Sequence, residues 1–414
     1  MKQIVVVGGG AAGIFAAISA VRQGANVTVL EKNKRLGVKL LITGKGRCNL
    51  TNIGDVESII ANFPDKGVFL YSALYQFSND DLIQLLKSLN VETKVERGGR
   101  VFPVSDKAKD VVDALTAYLK MLKVNLRLNT KVEGLKVENG RAVGVLLEGK
   151  VLRADAVIVT TGGLSYPRTG STGDGYKWAK DVGHKVTKLY PSLVPLEVKE
   201  EWPKELAGLT LKNVKITAYQ KERKVAEQFG EMLFTHFGVS GPIILSLSRF
   251  IVPLLYEKKE VMLTIDLKPA LSFEKLDDRV KRDLQKYANK HLKNSLHDLL
   301  PKALIIPFIE LSQIPMDKTC NQITKEERLK IVYLLKHLPV TIDKARSFDE
   351  AIVTHGGVDL KEIDPTTMES KLIKELYFAG EVLDIDAFTG GYNLQAAFST
   401  GFVAGQAAAN SIIT

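Results

Sequence analysis

Three glycines near the start of the chain have the spacing of a dinucleotide-binding turn. Gly8, Gly10 and Gly13 form G-x-G-x-x-G directly after the apolar run at residues 4–7 and at the start of an alanine-rich segment. In such a turn the first glycine permits a tight bend, the second lets a pyrophosphate approach the backbone, and the third allows close helix packing. The first amides of the following helix, that of Ala12 among them, would donate to the anion. The pattern predicts a nucleotide cofactor held by main-chain groups.

An acidic residue follows at the distance that a ribose contact requires. Glu31 ends the next strand-like run, 18 residues after Gly13, and Lys32 comes directly after it. A carboxylate there accepts hydrogen bonds from the ribose hydroxyls of an adenosine and disfavours a 2′-phosphate. We therefore expect NAD or FAD, rather than NADP, at this turn.

A second glycine-rich loop, residues 37–52, carries cations between its glycines. It contains Gly37 and Gly46 together with Lys39, Lys45 and Arg47. Successive backbone amides in such a loop form a concave anion site, and neighbouring cations strengthen it. We expect this loop to wrap a pyrophosphate.

The C-terminal region resembles the FAD proteins of the glutathione-reductase superfamily, in which a late strand ends in a Gly-Asp pair. Gly380 and Glu381 stand in those places, with Glu in place of Asp, so the carboxylate has one more methylene with which to reach a ribityl hydroxyl. Residues 390–395 (GGYNLQ) then open the last helix. The positive end of that helix would stabilise negative charge on a reduced flavin.

The motifs together resemble one family over the whole chain, and they occur in the same order. GKGRCNLTN (44–52), FTHFGVSGP (234–242), VTHGGV (353–358), DPTTMESK (364–371) and the segment 380–401 are similar to the BaiN/YhiN-type NAD(P)/FAD-dependent oxidoreductases, which include aminoacetone oxidase-like flavoproteins. The resemblance implies an FAD domain, an inserted β-rich domain and a small helical domain.

The resemblance also implies cofactor contacts, residue by residue. Arg47, Cys48 and Asn49 would lie along the flavin, Thr161 and Gly162 would close over the adenine and ribose side, and the backbone of Val132 would meet the adenine. The complete set that we expect to bind the cofactor is Gly8, Gly10, Ala12, Gly13, Glu31, Lys32, Gly37, Lys39, Gly46, Arg47, Cys48, Asn49, Val132, Thr161, Gly162, Gly380, Glu381, Gly391, Tyr392, Asn393, Leu394 and Gln395.

The sequence does not identify a catalytic acid, base or nucleophile. Cys48 lies near two cations that could lower its thiol pKa, but no resolving cysteine is adjacent, which favours packing or flavin contact. His236 and His355 occur in glycine-flanked segments that could line a substrate face. Neither has the spacing of a metal ligand, so we expect no metal site.

Hydrophobic periodicity indicates how these residues are positioned. Residues 4–7, 26–31 and 154–160 have the texture of buried parallel strands, and residues 11–23 that of the helix between the first two. We expect an α/β fold with a Rossmann-type FAD-binding domain of the glutathione-reductase superfamily. Its predicted parts are a discontinuous FAD-binding domain at 1–190 and 356–414, an inserted β-rich domain at 191–270 and 338–355, and a helical domain at 271–337.

Composition limits the partners. The 414 residues carry 57 Lys plus Arg against 47 Asp plus Glu, a net charge of +10, but without long basic runs or interleaved aromatics. This pattern does not favour a nucleic-acid partner over a small-molecule substrate. With Cys48 and Cys320 far apart and no apolar run of about 20 residues, we expect a cytoplasmic protein that does not span a membrane.

The chemistry that remains is redox chemistry on a flavin. We expect an FAD-dependent oxidoreductase that transfers a hydride between a small organic substrate and flavin N5, with NAD(P)H as a transient reductant. Two alternatives stay open: an oxygen-using amine oxidase of the aminoacetone oxidase type, and an RNA-associated flavoprotein, which the charge of +10 suggests.

Overall fold

The computed structural model describes residues 1–411, so the last three residues of the predicted range 356–414 lie outside the described residues. The chain forms two compact units. One comprises Met1–Pro191 together with the described residues from Ala351 onward, and the other comprises Ser192–Glu350.

The α-helices are α1 (Ala11–Arg22), α2 (Val56–Ile60), α3 (Tyr71–Gln76), α4 (Asn79–Ser88), α5 (Ala108–Met121), α6 (Asp174–Asp181), α7 (Trp202–Glu205), α8 (Pro242–Tyr256), α9 (Phe273–Lys286), α10 (Ile305–Ser312), α11 (Lys325–Lys336) and α12 (Tyr392–Asn410). The strands are β1 (Gln3–Val7), β2 (Asn26–Leu30), β3 (Thr51–Asn52), β4 (Thr93–Glu96), β5 (Arg100–Pro103), β6 (Asn125–Arg127), β7 (Gly134–Glu138), β8 (Arg141–Leu147), β9 (Lys150–Arg153), β10 (Ala156–Val159), β11 (Tyr190–Ser192), β12 (Leu196–Val198), β13 (Thr210–Gln220), β14 (Arg223–Thr235), β15 (Gly238–Ser240), β16 (Val261–Asp266), β17 (Leu338–Ala345), β18 (Val353–His355) and β19 (Leu376–Phe378).

The first unit is built on a five-stranded parallel sheet in the order β19-β10-β1-β2-β6. Val6 of β1 lies between Val29 of β2 and Ile158 of β10, and all three side chains are at most 1% exposed. Valine-rich strands without polar residues suit a parallel sheet that is covered on both faces. The carboxyl ends of β1, β2, β10 and β19 therefore meet at one edge, where ligands bind in open α/β sheets.

Helices α1 and α12 pack against each other through glycines. A Cβ on Gly401 would lie 2.2 Å from the carbonyl oxygen of Ala12, and a Cβ on Gly405 would lie 2.1 Å from that of Ala16. The first and last helices of the chain thus approach backbone to backbone, which brings the two ends of the sequence into one nucleotide-binding unit.

The second unit combines a closed antiparallel sheet with a helical segment. The sheet runs β12-β15-β14-β13-β16-β17, with β13 paired to both β14 and β16. The helical segment contains α9, α10 and α11, and α11 begins with a capping box, in which Thr324 and Glu327 each accept the other's backbone N–H.

The expected fold class is confirmed: a Rossmann-type α/β unit is accompanied by an additional sheet and a helical region. Residues 126–136 do not form one continuous strand but divide between β6 and β7. Within residues 1–411, no helix has the length and apolarity that crossing a membrane requires.

Candidate functional site

One cavity lies at the carboxyl edge of the parallel sheet in the first unit, with an empty volume of about 1330 Å³ that includes space open to solvent. It is lined by Thr130–Val132 and the residues after β2, by the turn after β1, and by Asn393 and Leu394 at the start of α12. The cavity therefore follows the sheet edge where the Rossmann fold holds a dinucleotide.

The three positions of the first turn favour glycine for different structural reasons. A Cβ on Gly8, whose φ is +106°, would lie 2.6 Å from the oxygen of Thr160, and a Cβ on Gly13 would lie 1.8 Å from the oxygen of Gly8. Gly10 differs, because a Cβ there would meet nothing within 4 Å. Gly10 is also the N-cap of α1 and has no side chain to cap the first amides. Two glycines thus serve packing, and the third leaves open space at a positive helix end.

Glu31 is buried at the end of β2 and holds the turn in shape. Its Oε2 accepts the N–H of Gly9 at 2.7 Å, and its Oε1 accepts the N–H of Asn33 at 2.8 Å. Each carboxylate oxygen has a second lone pair beyond these bonds. The carboxylate is therefore fixed in orientation at the cavity wall and can accept further hydrogen bonds.

Glu381 belongs to a hydrogen-bonded cluster that joins three separate parts of the chain. Its Oε2 lies 2.6 Å from Lys39 Nζ, and its Oε1 accepts from Ser165 Oγ at 2.7 Å and from the N–H of Thr354 at 2.8 Å. Lys39 Nζ also lies 2.6 Å from Ser165 Oγ. The side chains of Lys39 and Glu381 are 24% and 18% exposed, so the pair is only partly screened by water.

The cavity wall includes a polar atom without a partner. The hydroxyl of Thr161 is buried, and no described residue bonds to it. Its oxygen lies beside Gly175, where a Cβ would come within 2.2 Å of it, so it faces the packed side of the wall. With the uncapped end of α1, the open position at Gly10 and the fixed carboxylate of Glu31, the residues present fit an FAD dinucleotide.

The 37–52 loop places its cations differently from the expectation that it wraps a pyrophosphate. Lys39 lines the cavity, but Arg47 does not; its guanidinium lies 2.7 Å from Glu96, 3.3 Å from Asp106 and 4.2 Å from the ring centre of Phe102. The hydrogen bond with Glu96 raises the pKa of Arg47. The charge of Arg47 is thus compensated within the protein.

Cys48 is completely buried in this loop, with a φ of +63°. Burial raises the pKa of its thiol to about 11. At neutral pH the thiol is therefore protonated, whereas a nucleophilic cysteine requires the thiolate. The structure supports packing rather than nucleophilic chemistry for Cys48.

The segment that opens α12 is fastened to the 37–52 loop. The side-chain amide of Asn49 donates to the carbonyl oxygens of Thr51 and Val101 and accepts the N–H of Gly391 at 3.0 Å. A Cβ on Gly391 would lie 2.3 Å from the oxygen of Thr51. Tyr392 is half-buried, and burial raises the pKa of its phenol. Asn49 and Gly391 therefore shape the cavity from behind its wall.

Two further polar residues of α12 make structural bonds. The side chain of Asn393 lines the cavity, accepts the N–H of Ala387 at 2.8 Å and donates to its carbonyl oxygen at 3.0 Å. Gln395 is fully buried, outside the cavity lining, where it donates to Ser399 Oγ at 3.0 Å and to the oxygen of Phe77 at 3.4 Å. Both side chains hold the backbone that surrounds the cavity.

The two histidines noted in the sequence have different settings. His355 Nδ1 lies 2.8 Å from the buried Asp386, and its ring stacks on Tyr190 at 6.0 Å between centres. Its chain neighbour Val353 lines the cavity. His236 belongs to the second unit, where it is exposed beside Phe237. No group of three or more His, Cys, Asp or Glu among residues 1–411 is arranged to hold a metal ion.

The structure brings most of the expected cofactor residues into the wall of the cavity. Those that line it are Gly8, Gly10, Ala12, Glu31, Lys32, Gly37, Lys39, Val132, Thr161, Gly162, Gly380, Glu381, Asn393 and Leu394. Those that do not line it are Gly13, Gly46, Arg47, Cys48, Asn49, Gly391, Tyr392 and Gln395.

Sequence reasoning missed the residues that orient the predicted ones. Ser165 and Thr354 hold Glu381, Asp386 pairs with His355, and Asp174 lies 2.6 Å from Lys32 Nζ. Serine, threonine and aspartate are common in loops, so these residue types alone did not indicate a place at the candidate site. The position of Ser165, three residues after the predicted contact Gly162, was the one available indication.

The comparisons with known proteins agree with this geometry. Residues 2–407 match the family model described as HI0933-like protein Rossmann domain. The chain is 35% identical to the 3-dehydro-bile acid delta(4,6)-reductase of Clostridium scindens, over 99% of both chains. It is 33% identical to the ribosomal RNA dihydrouridine synthase of Haemophilus influenzae, over 96% of both chains.

A solved structure supports the fold alone. The 3-ketosteroid delta1-dehydrogenase of Sterolibacterium denitrificans, in complex with 1,4-androstadiene-3,17-dione, aligns with 99% of this chain and 100% of its own, at a TM-score of 0.54 and 14% identity. The resemblance inferred from the motifs is confirmed. The chain belongs to the HI0933-like Rossmann-domain family and is an FAD-dependent oxidoreductase.

Proposed function

We propose that this protein uses NAD(P)H to reduce a carbon–carbon double bond conjugated to a carbonyl group. The observation that carries the proposal is that two relatives aligned over nearly their whole lengths bear names with this chemistry in common. A delta(4,6)-reductase of a 3-dehydro (3-oxo) bile acid acts on an unsaturated ketone, and dihydrouridine is uridine whose C5–C6 bond is saturated. The overall reaction adds a hydride to the carbon β to the carbonyl and a proton to the α carbon, while NAD(P)H becomes NAD(P)⁺.

Bound FAD would supply the two-electron redox chemistry of this reaction. We assign its pyrophosphate to the open N-terminus of α1 at Gly10 to Ala12, and its adenosine ribose to Glu31. Val132, Thr161 and Gly162, which line the cavity, would lie at the adenine side. Asn393 and Leu394 would lie at the flavin end.

The Lys39–Glu381 pair would have an orienting role at the cofactor. Three donors already hold Glu381, so the carboxylate cannot rotate freely, and the extra methylene relative to Asp is accommodated by Ser165 and Thr354. A carboxylate fixed in this way presents its remaining lone pairs in one direction, which suits a ribityl hydroxyl. The exposed edge of Lys39 would add positive charge near the phosphates.

Anaerobic stopped-flow spectroscopy tests the reductase proposal. Purified protein with bound flavin is mixed with NADH or NADPH, and we expect loss of the oxidised-flavin absorption with at least one of them. Reoxidation is then followed with a 4-en-3-one steroid and with a uridine-containing RNA hairpin, and a product heavier by two hydrogens is sought by mass spectrometry. Absence of bleaching by both nicotinamides would exclude this function.

The same apparatus distinguishes the oxidase alternative. An amine oxidase would be bleached by a small primary amine such as aminoacetone without nicotinamide, and oxygen would restore the absorption. We expect no bleaching by the amine. Rapid bleaching by aminoacetone would replace the reductase proposal with the oxidase.

A uracil in RNA is the second substrate class, besides a small unsaturated ketone. It is favoured by the name of the Haemophilus relative and by the net charge of +10, which gives a polyanion a long-range attraction. Steady-state competition between the steroid and the RNA hairpin, with dihydrouridine measured after nuclease digestion, separates the two classes.

A further inference from the structure

A short segment of the second unit carries a dense group of cations. Residues 281–293 (KRDLQKYANKHLK) contain five lysines or arginines and one acid, which leaves four of the net ten positive charges of the chain in thirteen residues. They begin in the last turns of α9 and continue into the following turn. We call this group, Lys281, Arg282, Lys286, Lys290 and Lys293, the basic surface.

The acid within the segment does not neutralise the basic surface. Asp283 is buried and bonds through both oxygens to Arg279 Nε, at 2.9 and 3.0 Å. Lys286 is paired with Asp298 at 2.9 Å. Within residues 1–411, no carboxylate pairs with Lys281, Arg282, Lys290 or Lys293. Elsewhere, by contrast, Lys39 and Arg47 have carboxylate partners.

The cations are held around one aromatic side chain. The ammonium groups of Lys286 and Lys290 lie 4.7 and 4.9 Å from the ring centre of Tyr287. The Tyr287 hydroxyl donates to Asp298 at 2.7 Å, which fixes the ring. Arg282 stands four residues before Lys286 on α9, so the two side chains share one face of the helix. Lys286 and Lys290 are therefore held in place beside the ring, and Arg282 is placed near them by the helix.

The apolar residues of the segment are turned inward. Leu284 and Leu292 are 7% and 0% exposed, and Lys281, Arg282, Gln285 and Lys286 form the outer side of α9. A helix that lies on a membrane presents large apolar side chains next to its cations. The segment offers cations and an aromatic edge without such side chains, which matches a sugar–phosphate backbone better than a lipid surface.

We propose that the basic surface binds the phosphate backbone of a structured RNA. The inference rests on the uracil branch of the proposed function, but it concerns binding, which requires no turnover. Charge complementarity carries it: four cations without carboxylate partners meet a chain that has one negative charge per nucleotide. The sequence-based expectation that nucleic acid is not favoured rested on the absence of long basic runs and of interleaved aromatics. This group escaped it because the residues that pack α9 interrupt the cations, and its single aromatic is Tyr287.

The test measures binding of a fluorescein-labelled, uridine-containing ribosomal RNA hairpin to flavin-loaded protein by fluorescence anisotropy without nicotinamide. The variant carries Arg282→Glu, Lys290→Glu and Lys293→Glu. We expect at least about a tenfold weaker affinity at about 50 mM salt, and a salt dependence reduced by about two to three ions. Bleaching by NAD(P)H should be unchanged, because none of these residues lines the FAD cavity.

A matched variant controls for net charge. Lys87→Glu, Lys120→Glu and Lys177→Glu alter three exposed lysines of the first unit and change the total charge equally. We expect this control to lose less than about threefold in affinity. Equal losses in both variants would show a general charge effect and overturn the proposal, as would wild-type protein that does not bind the hairpin at low salt.

The outcomes separate failure of this inference from failure of the proposed function. If the protein reduces the steroid with NAD(P)H but does not bind RNA, the proposed function stands and the RNA-binding role of the basic surface fails. If the protein binds RNA through the basic surface but neither nicotinamide bleaches its flavin, the RNA-binding role stands and the proposed function fails. Stronger binding to anionic lipid vesicles than to RNA would assign the basic surface to a membrane and overturn the RNA proposal.

Discussion

The first glycine turn, residues 8–13, and the 37–52 loop are both rich in glycine, yet they use it for different purposes. In the first turn Gly8 and Gly13 allow close packing, and Gly10 leaves the end of α1 open toward the cavity. In the 37–52 loop Gly44 and Gly46 have positive φ and make bends, while Arg47 is paired with Glu96. A turn that works through backbone amides can be recognised from spacing alone. The role of a cation depends on which carboxylate the fold brings to it.

Gly13→Ala should have the largest effect. Its Cβ would lie 1.8 Å from the carbonyl oxygen of Gly8, which is backbone and cannot move aside. We expect a loss of more than about 3 kcal/mol in the free energy of unfolding, measured by urea denaturation of the flavin-free protein. Gly134→Ala is the control, because its Cβ would meet Leu146 at an ordinary 3.4 Å. Similar stability of the two variants would contradict the close packing of α1 on the turn.

Gly10→Ala should separate binding from folding. Since its Cβ would meet no protein atom within 4 Å, the flavin-free variant should unfold at the same urea concentration as the wild type. The methyl group would occupy space that we assign to the pyrophosphate, so the dissociation constant for FAD should rise at least about tenfold, or about 1.4 kcal/mol. Fluorescence titration measures it, and unchanged FAD affinity would remove the pyrophosphate from this position.

A double-mutant cycle tests whether Lys39 of the 37–52 loop and Glu381 stabilise the protein as a pair. Lys39→Met and Glu381→Gln each remove one charge of a pair that is about one-fifth exposed. We expect each single variant to lose about 1 kcal/mol of stability and the double variant to lose less than their sum, because the interaction can be lost only once. Strict additivity, measured in urea, would mean that the pair contributes no coupling energy.

Arg47→Met tests whether the second loop contacts the cofactor through its arginine. The variant loses the bonds to Glu96 and Asp106, and we expect only a small loss of stability, because the Arg47 side chain is 36% exposed and water screens the pair. The dissociation constant for FAD should stay within about twofold of the wild-type value, because Arg47 does not line the cavity. A loss of FAD as large as that of Gly10→Ala would restore the expectation that this arginine binds the pyrophosphate.

Cys48→Ala should have the smallest effect on activity. The thiol is buried, and its pKa of about 11 keeps it protonated at neutral pH. We expect reduction of flavin by NAD(P)H at a rate within about twofold of the wild type, since catalytic residues cost far more when removed. Native protein should also resist N-ethylmaleimide until it is unfolded. Loss of turnover together with full flavin content would assign Cys48 a chemical role.

Part of the site could be predicted from sequence because its signals are local. Gly8, Gly10, Gly13 and Glu31 fall within one β-α-β unit, where strand, turn and helix follow directly from spacing and hydrophobic runs. The late pair Gly380 and Glu381 was found through the resemblance to FAD proteins of the glutathione-reductase superfamily. All of these except Gly13 line the cavity.

The remaining residues could not be placed because their partners are distant in sequence. Ser165 and Thr354 reach Glu381 from 216 and 27 residues away, and Arg47 meets Glu96 from 49 residues away. Gln395 stands in a motif next to cavity residues, yet the rotation of α12 turns it toward Phe77. A side chain's direction on a helix follows from what the helix packs against, which no local pattern encodes.

By itself, the sequence determined the type of fold, the glycine turn for which we propose a dinucleotide, and the family of the chain, because each depends on short spacings or on motifs in a fixed order. Only the tertiary structure decided which charges are available. It paired Lys39 and Arg47 with carboxylates, buried the thiol of Cys48, and left four cations of the basic surface without carboxylate partners. The reason is physical: a charge is neutralised or left free by groups within a few ångströms, and folding brings those groups from anywhere in the chain.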